Sequence, residues 1–565
     1  MQQLALLKIK KHGLLCLGLG FFLFILFKNS WVADDAYISF RSVEQVFAGN
    51  GLRWNVDERV QVYTSPLWFF LLLLTRVVTS NLFISAIVLS AACCVAALLV
   101  IRKTINDDVR WLVFISLVTG AWGIMDFSSS GLENPLLYFL ISIFAYYYYA
   151  FIRSTEIADK KHHLSGVLLI LGFMSIARHD LSTLMVIPAA YLVYVFCRQI
   201  GCKQASMFIF KKSYLVLTPL VLWTLFSVVY YGTPFPNTAY AKMLHGIPRT
   251  DLVDFGLLYL KVSLIFDSFA KIILFALLVR VVWKREAATI CILSGVLLNF
   301  FYVVYVGGDF MQGRFISEAM FLAAIGLMAP SFQSQQSNQR PTGIGKYSGV
   351  AAVASLLVLT LYVESPLKLR PDSGFNLDEG RRHYSWRGIL NERNFYFKTN
   401  SLWAYLHKDE GRTFPNHKWC KMGESATAQN KQVSDFGGIG MYGYCAGLNL
   451  IVIDNLALGE PFLARLPKPV DRAWRAGHYH RDYPRGYLES RSSGQNQLVE
   501  PHLVMLWDDM VQLTRANLFT LERWKAIWRI NTGYYKNIGE YYFADLAVSD
   551  SAGQIQPLSP DTLAH

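Results

Sequence analysis

Between residues 14 and 363 the chain returns repeatedly to apolar runs of roughly bilayer-crossing length, joined by short connections that carry most of the local charge. About 20 apolar residues coiled as a helix span the hydrocarbon of a membrane. No water is available there, so backbone amides must bond within the segment, and continuous apolar runs satisfy this only as helices. The runs fall at 14–29, 82–101, 111–125, 135–152, 164–177, 181–197, 214–231, 257–279, 287–306, 315–330 and 347–363. They predict an all-α membrane bundle of about eleven helices, several of them short. Residues 66–78 are apolar but lie between Thr64 and Arg76, and read as an interfacial or re-entrant helix.

Charged residues make up 16% of the 565 positions, against about 25% in soluble domains. The deficit lies before Glu364, so residues 1–363 predict a membrane domain, with outer loops at 30–80 and 232–256, and residues 364–565 a soluble cap. In the cap, residues 448–454 alternate like a strand and 507–530 hold helical stretches, which predicts a mixed α/β domain. Its aromatics are core or stack on sugar rings, and the tail after Ser549 reads as loose.

The net charge of +13 does not point to nucleic acid. The basic residues sit as short flanks beside apolar runs, which is an orientation signal. Lys8, Lys10, Lys11, Arg102, Lys103, Arg153, Lys160, Lys161, Lys211 and Lys212 belong to one set of connections. The alternate set is poorer before Glu364: Arg41, Arg53, Arg59, Arg178, Lys242, Arg249 and Arg314. This places the N-terminus inside and, after an odd number of spans, the cap outside. The basic start and apolar run resemble a signal peptide, but no small-residue cleavage site follows, so an uncleaved first span is expected.

Six of the eight cysteines lie in or beside apolar runs. Cys420 and Cys445 fall in the cap, where they form a disulfide in an oxidising compartment or remain two thiols. No CxxC spacing of a zinc site occurs.

The polar motifs collect on the outer side. Asp34 and Asp35 follow the first span and lead into a long loop with Arg41, the Gly49-Asn50-Gly51 turn, Tyr63 and Trp68. Adjacent carboxylates act as a base, bind a divalent metal, or mark a solvated interface, and loop tryptophans commonly anchor interfaces. Glu133 opens another span. Arg178-His179-Asp180 is wedged between two runs, either as a local ion pair or as a ligand-binding turn. Charge at membrane depth costs about 2.5–3.5 kcal/mol per residue, so such groups usually have partners and purposes. Asp309 and Arg314 lie in a glycine-rich turn, and guanidinium suits phosphate. Tyr240 and Lys242 follow Pro234-Phe235-Pro236. Lys242 alone reads as an exposed lysine, with phosphate contact as the alternative. Together these groups suit a reaction on a lipid phosphate bearing a polar group: a carboxylate takes a proton from an acceptor hydroxyl and cations stabilise the departing phosphate. No GxxxxGK[ST] occurs.

The segments DDAYISFR, GNGLRWN, ERVQVYTSPLW, SSGLENPL, ARHD, PNTAYAKM and GGDFMQGRF, in this order, resemble the GT-C superfamily of polytopic glycosyltransferases. Within it they resemble the arabinofuranosyltransferases of mycobacterial cell wall and of pilin modification. GGIGMYGY, IDNLALGEP, AGHY (with His478) and PRGY are similar to the outer domain of that group, so the likeness runs over about residues 31 to 490. The resemblance implies a polyprenyl-phosphate-linked sugar donor, transfer outside the bacterial inner membrane, and an extracytoplasmic glycan or pilin-like protein acceptor. It places an acidic residue of the first outer loop at the catalytic centre, here Asp34 or Asp35, with Asp35 slightly favoured. From the motifs themselves, Arg41, Tyr63, Glu133, Arg178, Asp180, Tyr240, Lys242, Asp309, Arg314 and His478 are expected to contact substrate. The turn Arg178-His179-Asp180 departs from the Arg-Pro-acid pattern frequent in relatives. Relatives also transfer other sugars, including hexoses.

Two other classes fit less well. A transporter of lipid-linked glycans needs polar residues through the bundle depth and related halves, and neither is evident. A non-enzymatic glycan-binding protein has little need of so many spans.

Overall fold

The computed structural model describes residues 2–244, 246–330, 365–367, 385–386, 388–408, 414–469 and 474–551. Among the described residues five helices are long and apolar enough to cross a bilayer: Leu82–Ile105, Asn134–Arg153, Leu181–Ile200, Cys202–Tyr231 and Ala287–Tyr305. Arg249–Phe266 and Ser268–Lys284, bent by 98°, make a sixth if counted as one span. Large apolar side chains such as Leu222, Phe275 and Phe301 stand exposed on these helices. Such continuous apolar exposure suits lipid rather than water, and the chain is a helical membrane protein. Gly13–Asn29 and Pro66–Val78 are shorter apolar helices.

The run expected as one span at 257–279 is broken. Asp267 accepts from Ala270 N at 2.9 Å and so caps the second helix, while its other oxygen accepts from Gly123 N, also at 2.9 Å. A carboxylate serving a cap this way starts a new helix rather than continuing the old one. The run at 111–125 likewise divides at Ala121 into Asp108–Gly120 and Trp122–Asp126. The run expected at 347–363, and the boundary between 363 and 364, lie outside the described residues.

The described residues form two compact units. The first takes those within 1–36, 65–222 and 248–417, the second those within 37–64, 223–247 and 418–565. In the first unit the helices Leu82–Ile105 and Asn134–Arg153 pack along much of their length, and Arg314–Met328 is buried almost throughout. Small residues permit close approach of backbones: a Cβ on Gly295 would stand 2.3 Å from the carbonyl oxygen of Leu184.

In the second unit a parallel ribbon joins Val433–Asp435 to Ile451–Ile453. Asn55 finishes its edge: its side-chain amide donates to Val452 O at 3.0 Å and its oxygen accepts from Val452 N at 3.1 Å. Trp54, Val452, Leu463, Leu503, Leu506 and Tyr542 share the core. The residues expected to be helical at 507–530 form Pro501–Arg515 and Leu521–Asn531. Cys420 and Cys445 are disulfide-bonded, joining helices Lys418–Ala428 and Ile439–Cys445.

Candidate functional site

The backbone before Asp34 is tied down on two sides. Ala33 N donates to Ser130 O at 2.8 Å, and Val32 N donates to Asn400 O at 3.1 Å. Asn400 Nδ2 returns a bond to Val32 O at 2.6 Å, and Trp31 Nε1 donates to Asp126 O at 2.8 Å. These bonds fix where the helix Asp34–Phe47 begins, with Asp34 and Asp35 in its first turn. Asp34 is buried, whereas the Asp35 side chain keeps 29% of its surface exposed.

The turn carrying Asp309 and Arg314 needs glycine. Gly307, Gly308 and Gly313 have φ of 89°, 66° and 81°, a left-handed region costly for other residues. Leu390 clamps the turn, donating to Phe310 O at 2.6 Å and accepting from Gln312 N at 3.0 Å. Tyr259 Oη donates to Met311 O at 3.1 Å and accepts from Phe315 N at 3.0 Å.

On this frame Arg314 faces three carboxylates. Nη2 lies 3.3 Å from Glu133 Oε1, and Nη1 lies 3.8 Å from Asp309 Oδ2 and 3.9 Å from Asp35 Oδ2. Arg178 faces three as well. It pairs with Asp180 through two nitrogens, meets Glu318 Oε1 at 3.1 Å and stands 3.6 Å from Glu133 Oε1. The local Arg178–Asp180 pair is thus real and is one part of a wider network. Asn134 Nδ2 holds Glu318 Oε1 at 2.7 Å, and Ser317 Oγ donates to Glu318 Oε2 at 3.1 Å. Arg178 also lies 5.1 Å from the centre of the Phe315 ring.

The network therefore joins Asp35, Glu133, Asp180, Asp309 and Glu318 around two guanidiniums. The terminal nitrogens of both arginines already face carboxylates, so the surplus is negative. A surplus of carboxylates with one exposed member can accept a proton and receive hydroxyl groups. Among the described residues no group of three or more His, Cys, Asp or Glu is arranged to hold a metal ion, and Asp35 faces a guanidinium, so Asp34 and Asp35 do not by themselves fit a divalent cation.

Glu318 is the member that sequence reasoning passed over. It stands inside the run 315–330, and an acid at membrane depth was the available signal.

The remaining expected site residues lie in the second unit. Arg41 is fully buried, donates to Leu450 O at 2.6 Å and sits 4.7 Å from the Trp54 ring centre. Burial pulls its guanidinium down to about 9. Tyr63 Oη meets Tyr231 Oη at 2.7 Å in a buried pair. Tyr240 lies under Arg465, whose guanidinium carbon is 3.6 Å from the ring centre. Nε and Nη1 of Arg465 are buried and make no hydrogen bond, and burial pulls this group down to about 10. His478 is held well below its ordinary value by burial, then by the charges of Arg475 and Lys242. So Tyr240, Lys242, Arg465, Arg475 and His478 build a cationic neighbourhood, of which Arg465 and Arg475 were not singled out in sequence.

Fold and site together define a helical membrane protein with an acidic, arginine-braced rim. No family model matches the sequence. The chain is 25% identical over 538 residues to the terminal beta-(1->2)-arabinofuranosyltransferase of Mycobacterium tuberculosis (strain ATCC 25618 / H37Rv), a match covering 81% of this chain and 82% of that protein. The resemblance to arabinofuranosyltransferases thus extends over most of the chain.

Proposed function

We propose that this protein is a GT-C-type glycosyltransferase that moves D-arabinofuranose from a polyprenyl-phosphate donor to an extracytoplasmic glycan or protein acceptor. In this reading the chain crosses a bacterial inner membrane about eleven times, with the N-terminus in the cytoplasm and the C-terminal region outside. The observation that carries the reading is Asp35: the partly exposed carboxylate of a buried network, at a helix start, 3.9 Å from Arg314. Asp35 takes the proton of an acceptor hydroxyl as its oxygen bonds to the anomeric carbon. The bond from that carbon to the phosphate oxygen breaks, and the electron pair leaves with the prenyl phosphate. Glu133, Arg178, Asp180, Asp309 and Arg314 hold the base and receive sugar hydroxyls. In the second unit Lys242, with Tyr240, Arg465 and His478, receives an anionic group of a substrate. Arg465 supports this role because its buried nitrogens make no hydrogen bond. Arg41 and Tyr63, expected as substrate contacts, act instead by holding the second unit together.

The test is transfer by the full chain in lipid nanodiscs, supplied with polyprenyl-phosphate arabinofuranose and an envelope-glycan acceptor. Asp35→Asn lowers transfer by about 10²–10⁴-fold while insertion is unchanged. Retained transfer in both Asp34→Asn and Asp35→Asn removes the base assignment, and a product bearing hexose overturns the sugar.

A further inference from the structure

Among the described residues of the second unit, one exposed apolar surface has a mooring that says where it lies. The helix Leu521–Asn531 turns Arg523, Ala526 and Ile527 inward. Its outer face, at helical spacing, carries Leu521 and Trp528, which are 63% and 70% exposed, with Lys525 between them. Phe519, in the turn before the helix, is 79% exposed. Bare tryptophan, phenylalanine and leucine on one face are not what water selects.

The inward side is bonded to the end of a spanning helix. Arg523 Nη2 donates to Tyr230 O at 3.1 Å, while its other nitrogens donate to Leu513 O and Leu518 O at 3.0 Å. Asn531 Nδ2 donates to Gly232 O at 2.9 Å. Tyr230 and Gly232 bracket the last residue of Cys202–Tyr231, the candidate span with the least protein cover. One turn or so before that end, Leu225 is still 58% exposed. The end of an apolar span marks the level of the headgroups. A helix bonded there with an apolar outer face meets the bilayer at its interface.

We infer that Leu521–Asn531 and the turn before it form an interfacial helix, with Phe519, Leu521 and Trp528 inserted among the phospholipids beside the Tyr231 end of the span. The side-chain chemistry fits this occupant. Tryptophan favours the headgroup level, leucine and phenylalanine supply apolar insertion, and the stem of Lys525 lies along apolar surface while its ammonium reaches phosphate. A glycan would ask for hydrogen-bonding groups around the ring platforms, and this face offers few. The inference does not depend on the proposed reaction.

The experiment uses the full chain in vesicles of phosphatidylcholine and phosphatidylglycerol containing a phospholipid with a diazirine near its glycerol. After illumination and proteolysis, lipid adducts are mapped by mass spectrometry. Adducts are expected on the peptide covering 519–528 and on the one covering 217–225, which is the internal standard. In Phe519→Ser/Trp528→Ser the first set is lost and the second kept. Should that variant fail to fold, the wild-type map still decides. Adducts on 217–225 with none on 519–528 overturn the inference, as does protection of 519–528 from hydroxyl-radical footprinting by a soluble envelope oligosaccharide rather than by lipid.

Discussion

Each unit contains a buried charge network, and the two differ in how completely they are closed. In the second unit Arg491 stands 3.1 Å from Asp57 Oδ2, 3.1 Å from Glu58 Oε1 and 3.2 Å from Glu460 Oε1. Arg515 also meets Asp57, at 3.0 Å, and Tyr487 Oη donates to Glu460 Oε2 at 2.5 Å. The side chains of Arg491, Glu58 and Glu460 are no more than 4% exposed, and Asp57, 21% exposed, is held by two guanidiniums at 3.1 and 3.0 Å. In the first unit the same residue types surround Arg178 and Arg314, but Asp35, 29% exposed, has a guanidinium no nearer than 3.9 Å. A network whose outermost carboxylate is clamped by two cations holds segments together. One whose outermost carboxylate is loosely held can also exchange a proton with a bound molecule. The contrast teaches that the number of ion pairs says little about chemistry, while the way the outermost member is held says a great deal.

The sharpest way to break the comparison is to substitute one residue from each network. Asp35→Asn is expected to lower transfer by about 10²–10⁴-fold, the usual contribution of a general base, with the thermal midpoint unchanged. Arg491→Met is expected to do the reverse. Removing one partner of a buried ion cluster costs about 3–5 kcal/mol, so the second unit should yield early in thermal unfolding and limited proteolysis. If Arg491→Met leaves the second unit's protease resistance intact, the closed network is not a fastener. Cys445→Ser asks how far the closed network acts alone. Loss of the bridge to Cys420 should cost about 2–4 kcal/mol, seen as a lower midpoint that the wild type reproduces under reductant.

The smallest expected effect is a slope with pH. Burial raises the carboxyl of Asp454 to about 7, even though it accepts backbone amides from Leu456 and Gly459. Its folded value lies above the unfolded one, so the folded state holds this proton more tightly. The associated stability is full below the unfolded value near 3.8 and is lost as pH rises through about 7. Glu460, raised to about 8 by burial, acts in the same direction. Asp454→Asn should flatten the fall in the unfolding midpoint between pH 4 and 7, and an unchanged slope would assign it to Glu460.

What the sequence disclosed follows from what short patterns can carry. Asp35, Glu133, Arg178, Asp180, Asp309 and Arg314 each stood out as charge at the margin of an apolar run, where burial is costly. The structure gathers the four acids around the guanidiniums of the two arginines. Glu318 was hidden because its neighbours made it part of a span. Asp267 was hidden for a similar reason: it stands inside an apolar run, and its second oxygen is held by Gly123, 144 positions away. Arg41 looked like a ligand contact because a loop arginine ordinarily seeks an anion, and only the fold reveals Trp54 and Leu450 around it. The closed network was beyond local reading altogether, since Asp57 and Glu58 acquire meaning only beside Arg491.

That last separation has a consequence for biogenesis. Asp57 and Arg491 are 434 positions apart. At about 5–20 residues per second, a ribosome needs about 20–90 s to make the interval. Throughout that time the early segment with Asp57, Glu58 and Trp54 has emerged without the strand, core and arginine that will cover it. A message truncated shortly before codon 491 would therefore not yield a protein short of one helix. It would leave Asp57 and Glu58, near the start of the chain, without the guanidinium of Arg491 that holds them, and quality-control proteases would meet a chain damaged near its beginning by an error near its end.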